Sequence, residues 1–130
     1  MSRRIMLVDD DKDILGLTQA ILRGAGYSVE IAASGREALS GILASRPDLV
    51  LLDVNMPDMD GWELLRLLKA DESTGRIPIV MFSVKMEVRD KVHALQEGAL
   101  DYLTKPFSHD ELLQRVERIF ARLEVAPERD

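Results

Sequence analysis

Residues Leu49 to Gly61, LVLLDVNMPDMDG, carry the clearest indication of the fold in this sequence. The stretch begins as an apolar run, which ends at Asp53 and gives way to a loop rich in acidic residues. Such a run is typical of a strand buried on both faces of a parallel sheet, and here it delivers one carboxylate to the following loop. An Asp in this place also commonly only caps a strand or begins a turn, so the stretch alone leaves chemistry and capping equally open.

The composition predicts one soluble, cytoplasmic domain with no membrane or direct nucleic-acid partner. A chain of 130 residues without cysteine has room for one core and excludes thiolate catalysis and Cys-based zinc sites. Its apolar runs are too short for a membrane span or for a signal peptide. Lys and Arg number 17 against 23 Asp and Glu, and no basic block occurs, so the chain is a poor match for a nucleic-acid backbone.

Five strand-like runs alternate with five helical segments along the chain. The predicted strands cover residues 4–8, 27–32, 49–53, 77–82 and 100–104. Asp11 or a neighbour is placed to cap the first helix, while Ser34 with Glu37 and Ser108 with Glu111 form capping boxes for the second and the fifth. Alternation with short loops predicts an open parallel sheet with helices on both faces.

The fourth helical segment, about 86–97, is shorter and more polar than the others. Its large apolar residues predict an inward face made of Val88, Val92 and Leu95. Gly98 follows, where a residue in the left-handed conformation commonly ends a helix.

Polar groups follow four of the five predicted strands. In an open parallel sheet, function gathers at the carboxyl ends of the strands. The groups at those ends are, in chain order, Asp9, Asp10, Asp53, Ser83 and Lys105. Carboxylates that converge repel each other unless a cation lies among them, and Mg²⁺ prefers such oxygen ligands, with a backbone carbonyl such as that of Asn55 completing the set.

A lysine and a hydroxyl beside a metal are what a transferred phosphoryl group requires, with Asp53 as the nucleophile that forms an acyl phosphate. Each group also has a simpler explanation. Asp9 and Asp10 are favoured by the dipole at a helix start, Ser83 can be an ordinary loop hydroxyl, and Lys105 before a proline can be a solvated turn residue. Their joint occurrence at successive strand ends favours the chemical interpretation.

With these residues, the chain resembles a response-regulator receiver domain of two-component signalling, from Ile5 to about Leu123. The matching motifs are the pair Asp9-Asp10, the segment 53–57 (DVNMP) with Gly61, Ser83, and Lys105-Pro106. The resemblance implies an α/β fold with a single doubly wound five-stranded parallel sheet, (βα)5 flavodoxin-like, in strand order 2-1-3-4-5. Residues 1–124 would form the receiver domain, and 125–130 a flexible tail or the start of a linker.

The resemblance also implies the partners and the chemistry of the site. Asp53 would accept a phosphoryl group from the phosphohistidine of a sensor histidine kinase or a histidine phosphotransfer protein. Mg²⁺ would be held by Asp9, Asp53 and the Asn55 carbonyl, with Asp10 close by or acting through water. Such a protein catalyses its own phosphorylation and dephosphorylation but acts as a signalling switch.

Three further residues match the response machinery of that family. Lys105 would pair with the phosphoryl oxygens, and Ser83 would swing in to bond one of them. Tyr102 matches an aromatic switch whose ring turns inward as the hydroxyl moves, and the alternative is a static ring that keeps its hydroxyl group in water. No output domain follows in this sequence, so the signal would leave through a partner or self-association, unless the chain is a receiver excised from a longer regulator.

Residues 98–116, GALDYLTKPFSHDELLQRV, resemble most closely the receivers of winged-helix DNA-binding regulators. In that subgroup, activated receivers dimerise through the fourth helix, fifth strand and fifth helix by crossed ion pairs. The matching pairs here are Lys91 with Glu111, Glu97 with Arg115, and Asp101 with Arg122. Exposed charges at such spacings are usually only a solvated face, which remains the alternative.

Two other classes use similar groups. A haloacid-dehalogenase-like phosphatase expects a second Asp two residues after its nucleophile, where this chain has Asn55, and it needs a cap for which there is no length. A flavodoxin-like FMN carrier is disfavoured because acids occupy the first strand-helix loop, where a phosphate needs backbone amides.

Overall fold

The computed structural model describes residues 3–56, 58–84 and 88–125. One sheet of five parallel strands has the order β2-β1-β3-β4-β5, which confirms the predicted fold class. The strands are β1 (Arg4–Val8), β2 (Ser28–Ala32), β3 (Leu49–Asp53), β4 (Ile79–Ser83) and β5 (Asp101–Thr104). The helices are α1 (Lys12–Gly24), α2 (Gly35–Ser45), α3 (Gly61–Ala70), α4 (Val88–Gln96) and α5 (His109–Val125).

Helices cover both faces of the sheet, and each face has its own apolar core. Met6 and Val8 of β1 pack in the core that α2, α3 and α4 cover, whereas Ile5 and Leu7 pack in the core under α1 and α5. This division follows from the alternation of side chains along a strand. Because all five residues of β3 are buried, the strand that ends at Asp53 is the centre of the domain.

The helix starts agree with the capping signals in the sequence. The Asp11 carboxylate accepts hydrogen bonds from the backbone N–H groups of Asp13 and Ile14 at 3.0 and 3.2 Å. Ser108 and Glu111 make a reciprocal capping box, in which each side chain accepts from the backbone N–H of the other residue. These contacts fix where the chain turns from each loop into its helix.

The predicted inward face of α4 is wrong in detail. Val92 and Leu95 are each 47% exposed, and the residue that packs into the core is Ala94. The prediction favoured large apolar side chains, but α4 buries a small one. The start predicted near residue 86 and the side chain of Val88 lie outside the described part of the chain. Gly98 has a φ of +106°, which confirms the left-handed end of the helix.

Two boundaries deserve comment for the site and for the termini. The fourth strand begins at Ile79 rather than at residue 77, because the Ile77 N–H is used in a turn to the Thr74 carbonyl. At the other end of the chain, Val125 is still the last residue of α5, and 126–130 lie outside the described residues. None of the described helices is long and apolar enough to cross a membrane.

Candidate functional site

The parallel topology brings the strand-end groups to one edge of the sheet. Asp53 is the last residue of β3, Ser83 is the last residue of β4, and Asp9 directly follows β1. Lys105 directly follows β5, and its peptide bond to Pro106 is cis. All four of these polar residues are buried. Three of them are Asp or Lys, residue types that are rarely buried unless their side chains have a partner.

Three carboxylates lie together at this edge. Asp9, Asp10 and Asp53 each offer an oxygen atom, and these atoms all lie within 4.8 Å of one another. Asp9 and Asp53 are buried, whereas Asp10 is exposed and opens the cluster to water. An all-oxygen donor set suits a hard divalent cation such as Mg²⁺, which keeps several of its water ligands. The residues present therefore fit the acidic pocket that the sequence predicts.

Lys105 is the buried cation of the cluster. Its Nζ lies 2.6 Å from Asp9 Oδ2 and 3.7 Å from Asp53 Oδ1. The lysine thus makes a hydrogen-bonded ion pair with Asp9 and a longer contact with Asp53. One ammonium among three carboxylates leaves the pocket with an excess of acidic groups.

Asp53 responds to this environment by holding its proton. Burial first, and then the neighbouring Asp9 carboxylate, raise the pKa of its carboxyl group from 3.8 to about 7. The Lys105 charge and a hydrogen bond from the Asn55 backbone N–H lower this pKa, but they do not outweigh the burial. A further positive charge in the pocket would therefore favour the ionised, nucleophilic form.

The group of Asn55 that is predicted to bind the metal is its backbone carbonyl. Asn55 lies two residues beyond Asp53, is exposed, and its backbone N–H lies 3.4 Å from Asp53 Oδ1. Gly61 closes the same loop, since its N–H donates to the Val54 carbonyl at 2.7 Å. The loop is thereby folded back against the end of β3.

The two predicted switch residues occupy neighbouring strands on one side of the sheet. Ser83 pairs in register with Thr104, and Met81 pairs with Tyr102. Because side chains alternate along strands, Ser83 and Tyr102 point to the same face, which is the face that α4 covers. The Tyr102 ring is half-buried there, with Lys91 Nζ 4.7 Å from its centroid.

Five of the six predicted interface residues have a contact within the described part of the chain. Arg115 Nη1 donates to the Tyr102 carbonyl at 2.7 Å and to Asp101 Oδ1 at 3.3 Å. Glu97 pairs with Arg66 of α3 at 3.3 Å, so that this pair links α3 to the segment after α4. Lys91 lies over the Tyr102 ring, Glu111 belongs to the α5 cap, and Arg122 is exposed. The crossed pairs predicted for a dimer would replace several of these contacts.

The sequence analysis missed two residues beside the site. Phe82 lies under Lys105, with the ammonium nitrogen 4.7 Å from its ring centroid. Nothing in the sequence distinguishes this phenylalanine from ordinary core, because an aromatic residue in a buried strand is expected to pack there.

Asp58, in the loop after β3, is the second. Its two carboxylate oxygens accept from the backbone N–H groups of Gly35 and Arg36, at 3.0 and 3.1 Å. These hydrogen bonds lower the pKa of the Asp58 carboxyl, and the bond from Gly35 has the largest effect. The first backbone N–H groups of α2 have no partner within the helix, and this is the only feature that could have indicated the contact. The capping motif of Ser34 and Glu37 had already been assigned to them.

Comparison with known proteins gives consistent matches over almost the whole chain. The family model described as the response regulator receiver domain matches residues 5–117. The DNA-binding response regulator MtrA of Mycolicibacterium smegmatis is 40% identical over 127 residues, 98% of this chain and 54% of that protein. The regulatory protein PhoP of Bacillus subtilis, named for alkaline phosphatase synthesis, is 42% identical over 97% of this chain and 52% of its own.

A solved structure shows the same fold. The chemotaxis response regulator CheY4 of Vibrio cholerae superposes with a TM-score of 0.87 at 34% identity, covering 92% of this chain and 99% of that chain. The chain thus spans about half the length of the curated relatives it matches, and nearly all of this solved structure.

Proposed function

This chain belongs to the response regulator receiver domain family, and we propose that Asp53 is its phosphoryl acceptor. The donor is a phosphohistidine of a sensor histidine kinase or of a histidine phosphotransfer protein. The observation that carries this proposal is the buried Asp53 carboxyl at the end of the central strand, with the Lys105 ammonium 3.7 Å away and two more carboxylates beside it.

The chemistry follows from these groups. An Asp53 oxygen forms a bond to phosphorus as the bond from phosphorus to the histidine nitrogen breaks, and that nitrogen keeps the electron pair. Lys105 stabilises the negative charge that gathers on the phosphoryl oxygens. Asp9, Asp10, Asp53 and the Asn55 carbonyl are the proposed ligands of Mg²⁺, which supplies further charge neutralisation when bound. Attack by water on the same phosphorus breaks its bond to the Asp53 oxygen, which releases inorganic phosphate and returns Asp53 to its free carboxylate form.

The response is proposed to leave through the face built by α4, β5 and α5. Phosphorylation adds a charge of about −1.5 to −2 and three acceptor oxygens at the end of β3. Ser83, at the end of the neighbouring strand, supplies a hydroxyl donor to one of these oxygens. Tyr102 shares the sheet face of Ser83, so its ring is placed to follow a movement of that hydroxyl.

Phosphorylation of the intact chain tests the acceptor directly. We expect phosphoramidate with Mg²⁺ to add a single phosphoryl group, which mass spectrometry of proteolytic fragments will locate on Asp53. Chelation of the metal should slow the reaction strongly, because the acidic pocket then repels the donor. A phosphoryl group located on His93, His109 or any other carboxylate would overturn the assignment.

A phosphorylation-dependent homodimer through α4, β5 and α5 is a second part of the proposal. Val92 and Leu95 leave about half of their side chains exposed on α4, which also carries Lys91 and is followed directly by Glu97. Several of these charges have partners within the chain, so dimerisation would proceed by exchange of ion pairs. In a twofold dimer each crossed pair occurs twice, which doubles the small free energy of a single surface pair.

Reversal of one charge tests the dimer. We expect sedimentation with beryllofluoride and Mg²⁺, which mimic the acyl phosphate, to show a dimer that Arg122→Glu weakens by roughly tenfold, equivalent to about 1.4 kcal/mol. Arg118→Glu is the matched control, since Arg118 is exposed on the same helix but is not in the predicted pairs. Equal weakening by both variants, or a monomer with the mimic present, would reject this interface.

Nucleic-acid binding is not assigned to these residues. The name of MtrA describes that relative as DNA-binding, but this chain matches only 54% of it. A net charge of −6 repels a phosphate backbone. We infer that this chain acts through protein partners in the cytoplasm, with residues 1–124 as the receiver and 125–130 as a tail or linker.

A further inference from the structure

Phe82 lies on the same side of the sheet as the acceptor and the lysine. It pairs in register with Asp53 of β3 on one side and with Leu103 of β5 on the other. Residues paired in register point to the same face, and Lys105 is two residues beyond Leu103. The ring of Phe82 is therefore beneath the lysine side chain, with Nζ 4.7 Å from its centroid.

The Phe82 ring is itself held in place. It is 3% exposed, and the Phe107 ring packs against it with a centroid separation of 6.2 Å and an interplanar angle of 59°. Phe107 directly follows the Lys105-Pro106 pair, so the segment that carries the lysine also carries the ring that packs against Phe82. The ring presents a fixed surface to the ammonium group.

We propose that Phe82 is a positioning residue for phosphoryl transfer, whose ring face keeps the Lys105 ammonium beside Asp53. This inference rests on the proposed function of Asp53. An ammonium group is attracted to the face of an aromatic ring by the quadrupole of the ring, and burial strengthens the attraction. A leucine in this place would fill the space without attracting the charge.

The Phe82 ring helps to position Lys105 because Asp9, the closest partner of the lysine, is also a proposed ligand of the metal. Lys105 Nζ is 2.6 Å from Asp9 and 3.7 Å from Asp53, so the lysine is held mainly toward Asp9. Asp9 is also a proposed metal ligand, and a cation there would compete with the lysine for its charge. An aromatic ring offers no oxygen ligand to a metal, so its attraction for the lysine remains when Asp9 is engaged.

Fluorination of the ring separates this role from simple packing. Mono-, di- and trifluorophenylalanine at position 82 keep the shape of the side chain but withdraw charge from its face step by step. We expect the rate of phosphorylation by phosphoramidate to fall with each fluorine, by roughly three- to tenfold for the trifluoro ring. Phe82→Leu should lower the rate of phosphorylation by at least the same factor. If that variant does not fold, the fluorinated proteins are sufficient to test the proposal.

The same series at Phe107 is the matched control. Phe107 is partly buried and packs against Phe82, but the cation-ring contacts of the described residues include none on its face. We expect no dependence of the rate on fluorine at that position. An equal decline at both positions would show a general effect on packing and overturn the proposal.

A measurement without metal or phosphoryl donor tests the geometry. The methylene protons next to the Lys105 ammonium should show an upfield ring-current shift in the nuclear magnetic resonance spectrum, which Phe82→Leu removes. If the wild-type protein is not phosphorylated on Asp53, the proposed function itself fails. If it is phosphorylated and the rate is flat across the Phe82 series, or the ring-current shift is absent, Phe82 is only part of the core.

Discussion

Asp53→Asn is expected to abolish phosphorylation and also to stabilise the metal-free protein. An amide is not a nucleophile toward phosphorus, so the acceptor is lost while the shape of the side chain is kept. The stabilisation follows from the same burial that raises the pKa of Asp53 from 3.8 to about 7. Asparagine removes a carboxylate that the fold holds at a cost.

The sign of the pH dependence follows from the two pKa values. The unfolded chain ionises this carboxyl near 3.8 and the folded protein near 7, so between these values the folded state binds more protons. The contribution of Asp53 to the free energy of unfolding therefore falls as the pH rises through this window, and its full penalty is present above about 7. At about 1.4 kcal/mol per pH unit the penalty reaches at most about 4 kcal/mol.

Urea denaturation at about pH 4 and about pH 8 measures this effect. The difference between Asp53→Asn and the wild type should be small at the lower pH and large at the higher pH, without added metal. Asp13→Asn is the control, because this exposed first-turn acid favours α1 through the helix dipole and its loss should destabilise by up to about 1 kcal/mol. A variant of Asp53 that is destabilised at the higher pH would contradict the argument.

Gly61→Ala is expected to destabilise the protein by about 3 kcal/mol or more. A Cβ atom at Gly61 would lie 2.3 Å from the Asp53 carbonyl oxygen and 2.8 Å from Val54 Cα. Both of these neighbours are main-chain atoms, so no side chain can rotate away to relieve the overlap. The backbone that carries Asp53, the proposed acceptor, would have to move, and phosphorylation of the remaining folded protein should be slower.

Gly16→Ala is the matched control, because no heavy atom lies within 4 Å of a Cβ built at that position in α1. Alanine there should stabilise the protein by about 0.5 to 1 kcal/mol, since glycine is a poor residue within a helix. The two midpoints of urea denaturation should therefore move in opposite directions. A loss of less than about 1 kcal/mol for Gly61→Ala would show that the β3-α3 loop yields easily.

Periodicity predicted the parallel sheet with helices on both faces, and the resemblance to receiver domains supplied the strand order. Once β1 and β3 are parallel neighbours, the residues after them must emerge at the same edge, and Asp9 and Asp53 are brought together. The roles of these carboxylates and of Lys105 in phosphoryl transfer stay predictions. The capping box of Ser108 and Glu111 was equally accessible, because it is local in sequence. At Ser34 the predicted box is half formed: Ser34 accepts from the Glu37 N–H, but the Glu37 carboxylate accepts from the Ala33 N–H.

Contacts between distant elements were not accessible in this way. The burial of Ala94 in place of Val92 and Leu95 depends on how α4 lies on the core. The pairing of Arg115 with Asp101, and of Glu97 with Arg66, depends on side-chain reach across elements. Sequence spacing indicates which residues share a face of a helix or strand, but it does not indicate which of several nearby charged side chains each residue will pair with.

The carboxylate of Asp58 gives the domain an uneven tolerance to insertion and deletion. A helix that carries its own cap can be moved or exchanged as a unit, but the first two amides of α2 are bonded by Asp58, which lies 23 and 22 positions further along the chain. A change in the length of the loop after β3 would therefore leave the start of α2 without these bonds. Redesign of this receiver for a new partner should thus alter the far ends of α2 and α3, and keep the number of residues between Asp53 and Gly61 constant.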